Sequence, residues 1–382
     1  MTSRERLLAI LRGEIPDRVG NTLRGVRAWD EKRCAALHGS YRPLVAATYK
    51  RGDWIAPIGF DGGFYGSVAP LERRTWTEQS AGHETQELRI TEVTVPAGRV
   101  GPSRVLREVI AFDRVQQLPM TAEHFIKTQE DAEGFLSLPY APARPDIGGA
   151  LELDRRIGDR GLIMIGFSDG TGEVHSLVGT ELLALWSVEH RELLHRLLSE
   201  QLRRKMDVVK HFISSGLTKQ VTAIFGYTGP EVVVPPLHAP SDFHDLCFRY
   251  DRQLNELIRS AGAFVHVHCH ASINKVLEGF VAMGTDMLHP VESPPMGDTP
   301  LAEAKRRVGS QLTIEGNVQI SDVMEEEPAA FRRRVEQVVA EGKAGGRFCL
   351  CPTASPYAVE LSPGALANYL TMMDVAETDG RY

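Results

Sequence analysis

The feature that most constrains the fold of this chain is a series of short, β-branched apolar runs that alternate with longer amphipathic segments. This alternation is typical of parallel strands joined by helical crossovers. Eight runs are present, at Arg18–Arg24, Asp53–Phe60, Gly161–Phe167, Gln220–Gly226, Ala263–His268, Thr285–His289, Gln311–Gly316 and Arg347–Cys351. Because a closed (β/α)₈ TIM barrel has eight parallel strands, we predict an α/β fold with a single barrel of this type.

The segments between the runs are of two kinds. Ser187–Ser214 and Asp242–Gly262 have apolar residues at helical spacing, and we predict helices there. The stretch from 62 to 145 breaks the rhythm, because Gln86–Val95 and Arg104–Asp113 alternate polar and apolar residues as strands do. We therefore predict an inserted β-hairpin region after the second barrel strand. No internal repeat or second-domain boundary is visible, so the barrel domain is predicted to include all 382 residues.

Composition excludes several classes of function. With 42% hydrophobic residues, the chain can bury a large core. The net charge of −7 comes from interspersed acids and bases, which argues against a nucleic-acid-binding surface and favours a small-molecule substrate. No run of about twenty apolar residues is present, so we expect a cytoplasmic protein without a membrane partner. The five cysteines, an odd number, are expected to be reduced thiols.

A cluster of histidines in the fifth run is the strongest sign of chemistry. Alternate residues of a strand face the same way, which puts His266, His268 and His270 on one face. The other face, with residues such as Val265, is apolar and is expected to pack against helices. The histidines are therefore predicted to point into the barrel, with His268 and His270 at the carboxyl end of the strand, where barrel active sites lie.

The same parity puts Cys349 and Cys351 of the last run on one face. Imidazole nitrogens and a thiolate together suit zinc, and an open fourth position lets the metal bind a water or a substrate thiol. We therefore predict a zinc site formed by His268, His270 and Cys351. The alternative is that the histidines form hydrogen bonds inside a polar barrel and that the cysteines are buried apolar residues.

Other polar residues fall at the ends of predicted strands, where they can bind or protonate a substrate. These candidates are Asp61, Asp169, Tyr227, Glu292, Glu315 and Asn317. We predict that Asp169 and Tyr227 act in catalysis with His268, and that the others bind the substrate. Arg24 and Arg27 follow the first strand and can clamp a carboxylate. For each residue alone, a role in a capping turn or on a solvated surface is the alternative, but their common end of the barrel favours a site.

Several short motifs occur in a definite order along the chain. They are Arg4-Glu-Arg-Leu-Leu, Arg12-Gly-Glu-Ile-Pro-Asp-Arg18, His124-Phe-Ile-Lys127, Ala239-Pro-Ser-Asp-Phe243, Val267-His-Cys-His270, Gly284-Thr-Asp286, Met296-Gly-Asp298, Glu315-Gly-Asn-Val-Gln319 and Gly345-Gly346. In order and spacing they resemble the uroporphyrinogen decarboxylase superfamily, including its cobalamin-linked methyltransferase branch, over nearly the full length. The resemblance implies a (β/α)₈ barrel, often a homodimer, with its site at the carboxyl ends of the strands.

The resemblance to the decarboxylases of this superfamily, which act on a tetrapyrrole without a cofactor, is incomplete. Those enzymes carry a Phe-Met-Arg-Gln-Ala-Gly-Arg-Tyr element after the first strand. This chain has Thr22–Trp29 there, with Arg24 and Arg27 at altered spacing, and it lacks the late Gly-His-Gly element. We therefore do not expect a genuine uroporphyrinogen decarboxylase.

The resemblance to the zinc methyltransferases, which move a methyl group between a corrinoid and a thiol, is also incomplete. They show His-x-Cys-Gly and a later Cys. In this chain His268 matches, whereas His270 and Ala271 replace the Cys and the Gly. The later Cys aligns with Ala354, three residues after Cys351. The resemblance thus implies a zinc site of unusual ligand composition.

Three hypotheses follow. The leading one is a methyltransferase that uses His268, His270 and Cys351 to hold zinc, with methylcobalamin carried by a corrinoid protein partner. The second is a metal-free decarboxylase or lyase without a cofactor, in which Arg24 and Arg27 hold a carboxylate substrate. In that case Asp169, His268 or Tyr227 handles the proton. The third is a non-catalytic ligand-binding barrel. The sequence does not specify the substrate, because barrel loops determine specificity.

Overall fold

The computed structural model describes residues 1–98, 101–113 and 118–382. These residues form twelve strands, which we number in chain order. The strands are β1 Gly20–Asn21, β2 Trp54–Ile58, β3 Arg73–Gln79, β4 Gln86–Val95, β5 Arg104–Asp113, β6 Leu118–Glu123, β7 Gly161–Ser168, β8 Ala223–Thr228, β9 Phe264–Cys269, β10 Met287–Pro290, β11 Thr313–Val318 and β12 Phe348–Pro352. Eight of them form one sheet in the order β1-β12-β11-β10-β9-β8-β7-β2, and the other four form a second sheet in the order β3-β4-β5-β6.

All neighbours in the eight-stranded sheet are parallel. Each strand overlaps one of the eight apolar runs, so the α/β class and the parallel strands predicted from sequence are confirmed. The two strands at the ends of the order, β1 and β2, are linked by a hydrogen bond from the Asp53 backbone N–H to the Asn21 carbonyl at 2.9 Å. The sheet is curled in the manner of a TIM-like barrel.

The α-helices lie mainly between the strands. They are Ser3–Arg12, Glu31–Ala36, Arg42–Arg51, Gln129–Ser137, Gly148–Ile157, Gly170–Glu189, Arg191–Ser214, Leu217–Gln220, Pro240–Asp242, Arg249–Ser260, Leu277–Ala282, Leu301–Val308, Ile320–Glu325, Pro328–Lys343 and Pro363–Thr378. The first begins with a capping box, in which Thr2 and Glu5 satisfy each other's backbone N–H groups. No described helix combines the length and apolar character needed to cross a membrane.

Both helices predicted from periodicity are present, with interruptions that periodicity does not reveal. The predicted helix at 187–214 is divided at His190, where the backbone leaves the helical region. The predicted helix at 242–262 contains a π-helical turn at Phe243–Phe248 before Arg249–Ser260. The apolar stripe continues through such local changes, because it depends on the average number of residues per turn.

The chain divides into two compact units, and the first contains the whole eight-stranded sheet. It includes residues 1–60, 146–168 and 209–382. A core cluster joins the helix Ser3–Arg12 to residues near the starts of the strands. Its buried members are Leu7, Ile10, Leu11, Leu162, Ile224, Met287 and Cys349. The amino-terminal end of the sheet is thus filled by apolar side chains, which leaves the carboxyl end for polar chemistry.

The second unit includes residues 61–145 and 169–208 and contains the antiparallel sheet. The predicted strands Gln86–Val95 and Arg104–Asp113 have the observed bounds of β4 and β5 and pair with each other. They belong to a sheet of four strands rather than to a two-stranded hairpin, because β3 and β6 pair with their outer edges. A domain that includes all 382 residues stays a prediction.

Candidate active site at the carboxyl ends of the strands

The carboxyl halves of β9 to β12 carry a group of polar side chains that contact one another. The register pairs His268 of β9 with His289 of β10, and Asn317 of β11 with Cys351 of β12. Parallel pairing brings residues far apart in sequence to the same edge of the sheet. The register thus places His268 beside His289, and the grouping of His268, His270 and Cys351 stays a prediction.

Glu315 is the buried anion of the site, with only 3% of its surface exposed. Its carboxylate accepts a hydrogen bond from Thr22 Oγ1 at 2.6 Å and contacts His266 Nε2 at 2.8 Å. Arg24 Nη2 lies 3.7 Å from Glu315 Oε2. Burial alone would raise the pKa of Glu315, but the hydrogen bond and charge of His266 and the charge of Arg24 lower it to about 2. Glu315 is therefore a carboxylate at neutral pH.

His268 and His289 contact each other through their Nδ1 atoms, which are 2.8 Å apart. Their rings stack with centroids 5.0 Å apart and planes inclined by 19°. Burial and the nearby charge of Arg24 lower the pKa of His268 to about 2 and the pKa of His289 well below its ordinary value. Both imidazoles are therefore neutral, and a neutral imidazole is the form that binds metal ions.

The second ring nitrogen of His289 has two competing partners. Arg24 Nε donates toward His289 Nε2 at 3.1 Å, whereas the Pro352 carbonyl oxygen lies 3.0 Å from the same nitrogen. A ring nitrogen of a neutral imidazole either accepts or donates, so only one of these contacts is a hydrogen bond at a time. His289 thus has more possible partners than it can satisfy.

Cys351 is fully buried beside the carboxylate. Burial and the charge of Glu315 raise the pKa of its thiol, and Arg24 and the Thr22 hydroxyl offset only part of this rise. Ligand atoms of His289, Glu315 and Cys351 all lie within 4.8 Å of one another. Imidazole nitrogen, carboxylate oxygen and cysteine sulfur are the donors that zinc takes in proteins, so this group fits a zinc ion chemically.

His270 and Glu292 form a second contacting pair, near the carboxyl ends of β9 and β10. His270 Nδ1 contacts Glu292 Oε2 at 3.0 Å, and the side chain of His270 is 38% exposed while that of Glu292 is 5% exposed. The Ala271 backbone N–H also donates to Glu292, at 3.4 Å. Ala271 has a φ of 81°, in the left-handed region that favours glycine. This is the position at which the methyltransferases have Gly.

The other residues predicted from the first unit have local partners or none. The Tyr227 hydroxyl is hydrogen-bonded to Asn255 of the helix Arg249–Ser260 at 3.1 Å, away from the histidines. Asn317 Nδ2 donates to the Val291 carbonyl and to Ser293 Oγ, so it organises the loop after β10. The side chain of Arg27 is half-buried and has no hydrogen bond or ion pair with any described residue.

Asp61 and Asp169 belong to the second unit. Asp169 caps the helix Gly170–Glu189 and accepts hydrogen bonds from the Gly172 N–H and the Thr171 hydroxyl, both at 2.5 Å. Asp61 is exposed and accepts a hydrogen bond from the Gly63 N–H at 2.8 Å. These contacts are the local capping roles that the sequence left as alternatives, and a role of either residue in chemistry stays a prediction.

Three groups of the cluster were not assigned a role from the sequence. These groups are His266, His289 and Thr22. The sequence could have identified His289, since it is the polar residue at the end of the predicted run Thr285–His289 and lies within β10. Thr22 gives no such signal, because its side chain becomes important only through the position of Glu315, which is 293 residues away in sequence.

Comparisons with known proteins agree with the fold. A model of the family described as uroporphyrinogen decarboxylase matches residues 111–356. No curated protein matches the sequence. A solved methyltransferase from Methanosarcina mazei is 15% identical and covers 99% of this chain and 98% of its own, with a TM-score of 0.61. A 3-keto-D-glucoside 4-epimerase from E. coli is 11% identical, with a TM-score of 0.35, and the match covers 59% of this chain and 85% of the epimerase.

Proposed function

The chain belongs to the uroporphyrinogen decarboxylase family. We propose that it is a methyltransferase and that its fold is a closed (β/α)₈ barrel. In the proposed reaction a methyl group passes from the cobalt of a corrinoid, carried by a partner protein, to the sulfur of a small thiol. The carbon–cobalt bond breaks, the corrinoid keeps its electron pair, and the thiol proton is released to solvent. The observation that carries the proposal is the buried set of imidazole, carboxylate and thiol groups at the carboxyl ends of β9 to β12. The fold shared with a methyltransferase also supports this class of reaction.

Zinc is the metal proposed for this reaction, and the ligands predicted for it from the sequence alone are His268, His270 and Cys351. Each offers a nitrogen or sulfur donor that suits the ion. Bound zinc would lower the pKa of the substrate thiol and so supply a thiolate at neutral pH. This is the chemistry that the transfer needs, because a thiolate is the nucleophilic form of sulfur.

The side chains of Arg24 and His270 favour the binding of an anionic sulfur beside the buried histidine, glutamate and cysteine. The guanidinium of Arg24 lies beside the group, with Nε 3.1 Å from His289 Nε2 and Nη2 3.7 Å from Glu315 Oε2. Such a nearby positive charge favours a thiolate over a thiol. His270 is the more exposed histidine and is held through Nδ1 by Glu292. We propose that His270 is the first of the cluster to meet the substrate and that the buried residues behind it exclude water.

The test uses untagged protein, so that a histidine tag does not bind zinc. Zinc-loaded protein is incubated with methylcobalamin and a low-molecular-weight thiol, and the methyl thioether is measured by mass spectrometry. We expect product with the wild type and about 10- to 100-fold less with His268→Ala. The exposed His83→Ala is the matched control and should retain full activity. Equal product from wild type and His268→Ala would contradict the proposal.

A second candidate function is a metal-free carboxy-lyase that acts on a small carboxylate. The observation in its favour is Arg27, a half-buried guanidinium without an ion pair among the described residues. Such a group can bind the carboxylate of a substrate. This function predicts turnover that survives strong chelation and falls with Arg27→Met. Loss of decarboxylation on chelation would exclude it.

A further inference from the structure

We infer that the metal is held by His289, Glu315 and Cys351, and that His268 and His270 are not ligands. The inference rests on the proposed function in that it names the ligands of the metal which that function uses. It replaces two of the three ligands that the sequence predicted and retains Cys351.

The geometry of this group is that of a three-ligand site. A zinc ion lies about 2.0–2.3 Å from its nitrogen, oxygen and sulfur ligands, so two ligand atoms of one ion are separated by no more than about 4.6 Å. The ligand atoms of His289, Glu315 and Cys351 lie within 4.8 Å of one another, so small side-chain movements would bring all three within bonding distance of one zinc ion. Three protein ligands leave one position open, as in catalytic rather than structural zinc sites.

Each of the three residues has an outer partner that orients it. His268 contacts His289 through Nδ1, and His266 contacts Glu315 through Nε2, both at 2.8 Å. Thr22 donates to the other oxygen of Glu315 and interacts with the Cys351 thiol. Ligands of a metal ion in proteins are usually held by such outer hydrogen bonds. His266, His268 and Thr22 are therefore positioning residues, which act on the metal through its ligands.

The charges in the group are suited to a buried dication. Glu315 would bind the metal as a carboxylate and Cys351 as a thiolate, with the thiol proton released to solvent. Two negative charges balance the two positive charges of zinc. Arg24 adds one more positive charge beside the group, 3.7 Å from Glu315. The complete site then has a net positive charge, which favours the binding of a thiolate substrate at the open position.

His270 is less suited than His289 to be a ligand of the metal. The side chain of His270 is 38% exposed, whereas His289, Glu315 and Cys351 are buried. The three residues predicted from the sequence also do not form a group of mutually close ligand atoms among the described residues, whereas the inner three do. This arrangement leaves His270 and Glu292 available for contact with the substrate.

The experiment measures binding of cobalt(II) alone to full-length, metal-free protein. Cobalt bound by a thiolate gives a sulfur-to-metal charge-transfer band in the near ultraviolet. We expect one cobalt per chain in the wild type with this band. Cys351→Ser should abolish the band and weaken binding by at least about a hundredfold. Cys349→Ser is the matched control, since it removes an equally buried thiol from the same strand, and it should leave the band and the affinity unchanged.

Two further variants distinguish the ligand sets. His289→Gln should weaken cobalt binding as strongly as Cys351→Ser, and His270→Ala should leave cobalt binding unchanged. X-ray absorption of the zinc-loaded wild type, which needs no variant to fold, should give one sulfur neighbour at about 2.3 Å. Loss of binding in His270→Ala, or no sulfur neighbour, would overturn the inference.

These results are separable from those that test methyl transfer. Cobalt binding that depends on Cys351 and His289, without any methyl transfer, would contradict the proposed function and support the ligand assignment. Methyl transfer that depends on zinc, with cobalt binding lost in His270→Ala, would support the function and overturn the assignment.

Discussion

The two ends of the eight-stranded sheet bury polar groups in opposite ways. At the amino end, Asp53 is buried and accepts hydrogen bonds from Arg6 at 2.6 Å, from Arg18 at 2.9 Å and from the Asn21 N–H at 2.9 Å. At the carboxyl end, the neutral imidazoles of His268 and His289 contact each other. In addition, Arg24 and the Pro352 carbonyl compete for one nitrogen of His289. The Asp53 carboxylate is thus fully paired within the chain, whereas an imidazole at the carboxyl end has a nitrogen atom with competing partners.

This difference teaches how the two ends divide stability and function. Charges that are fully paired within the chain contribute to the folded state and have no remaining capacity for a ligand. Neutral histidines and a buried thiol contribute little to stability, but they can bind a metal ion. The same division is found in barrels generally, where the amino end stabilises and the carboxyl end carries the site. Substitutions at the two ends should therefore affect different measurements.

The largest effect is expected at Asp53. Asp53→Asn removes the buried carboxylate that pairs with Arg18 and with Nη1 of Arg6, and Asp17 remains as the partner of Arg6 only on its other side. The substitution should lower the free energy of unfolding by about 3–5 kcal/mol. Urea unfolding followed by circular dichroism measures this. The affinity of the folded variant for cobalt should stay at the wild-type value.

The control for Asp53 is an exposed ion pair. Glu152→Gln removes the partner of Arg155, which lies on the surface of the helix Gly148–Ile157. We expect no measurable change in the urea midpoint, because exposed pairs contribute little. If both variants had the same midpoint, the amino end would not have the stabilising role described above.

A smaller effect on stability, combined with a large effect on binding, is expected at the carboxyl end. Thr22→Val retains the shape of the side chain but removes the hydroxyl that donates to Glu315. It should cost about 2 kcal/mol of stability and weaken metal binding by about 10- to 100-fold. Thr48→Val, which removes a buried hydroxyl bonded to the Leu44 carbonyl, should lower stability without any change in binding. An unchanged metal affinity in Thr22→Val would be evidence against its positioning role.

The fold was predictable from the sequence to a greater extent than the site. Each buried strand requires its own run of apolar residues, so all eight could be located. The β1 ladder is shorter than the predicted run Arg18–Arg24, and Arg18 forms an isolated antiparallel bridge with Arg381 instead of pairing with β12. Parity correctly placed His266 and His268 toward the polar cluster. The proximity of Cys351 to His289 depends on strand register and curvature, which a single sequence does not specify.

The amino end should also respond to acid. Burial raises the pKa of Asp17, but the hydrogen bond and charge of Arg6 outweigh this and lower it to about 2 from 3.8. Because the folded-state pKa is below the ordinary value, the stabilisation is present above pH 3.8 and is lost as the pH falls toward 2. Asp17 is half-exposed, so Asp17→Asn should cost only about 1 kcal/mol at neutral pH. Urea midpoints of the two proteins should converge near pH 2, and a difference independent of pH would refute this explanation.

The smallest effect is expected at Ala271, which follows His270 at the carboxyl end. Its φ of 81° strains an alanine and not a glycine, so Ala271→Gly should raise stability by about 0.5 kcal/mol after the greater flexibility of the unfolded chain is included. Ala367→Gly, within the helix Pro363–Thr378, should instead lower stability by about 1 kcal/mol. Thermal unfolding compares the two, and destabilisation by both would contradict strain at Ala271.

The central claim is that the carboxyl end of the sheet is a metal-dependent methyl-transfer site. The most direct measurement is the rate of thiol methylation from methylcobalamin by metal-free wild-type protein to which zinc is returned in steps. We expect a rate near zero before zinc is added and a linear rise that stops at one zinc per chain. A full rate in the metal-free protein, unchanged by added zinc, would contradict the claim.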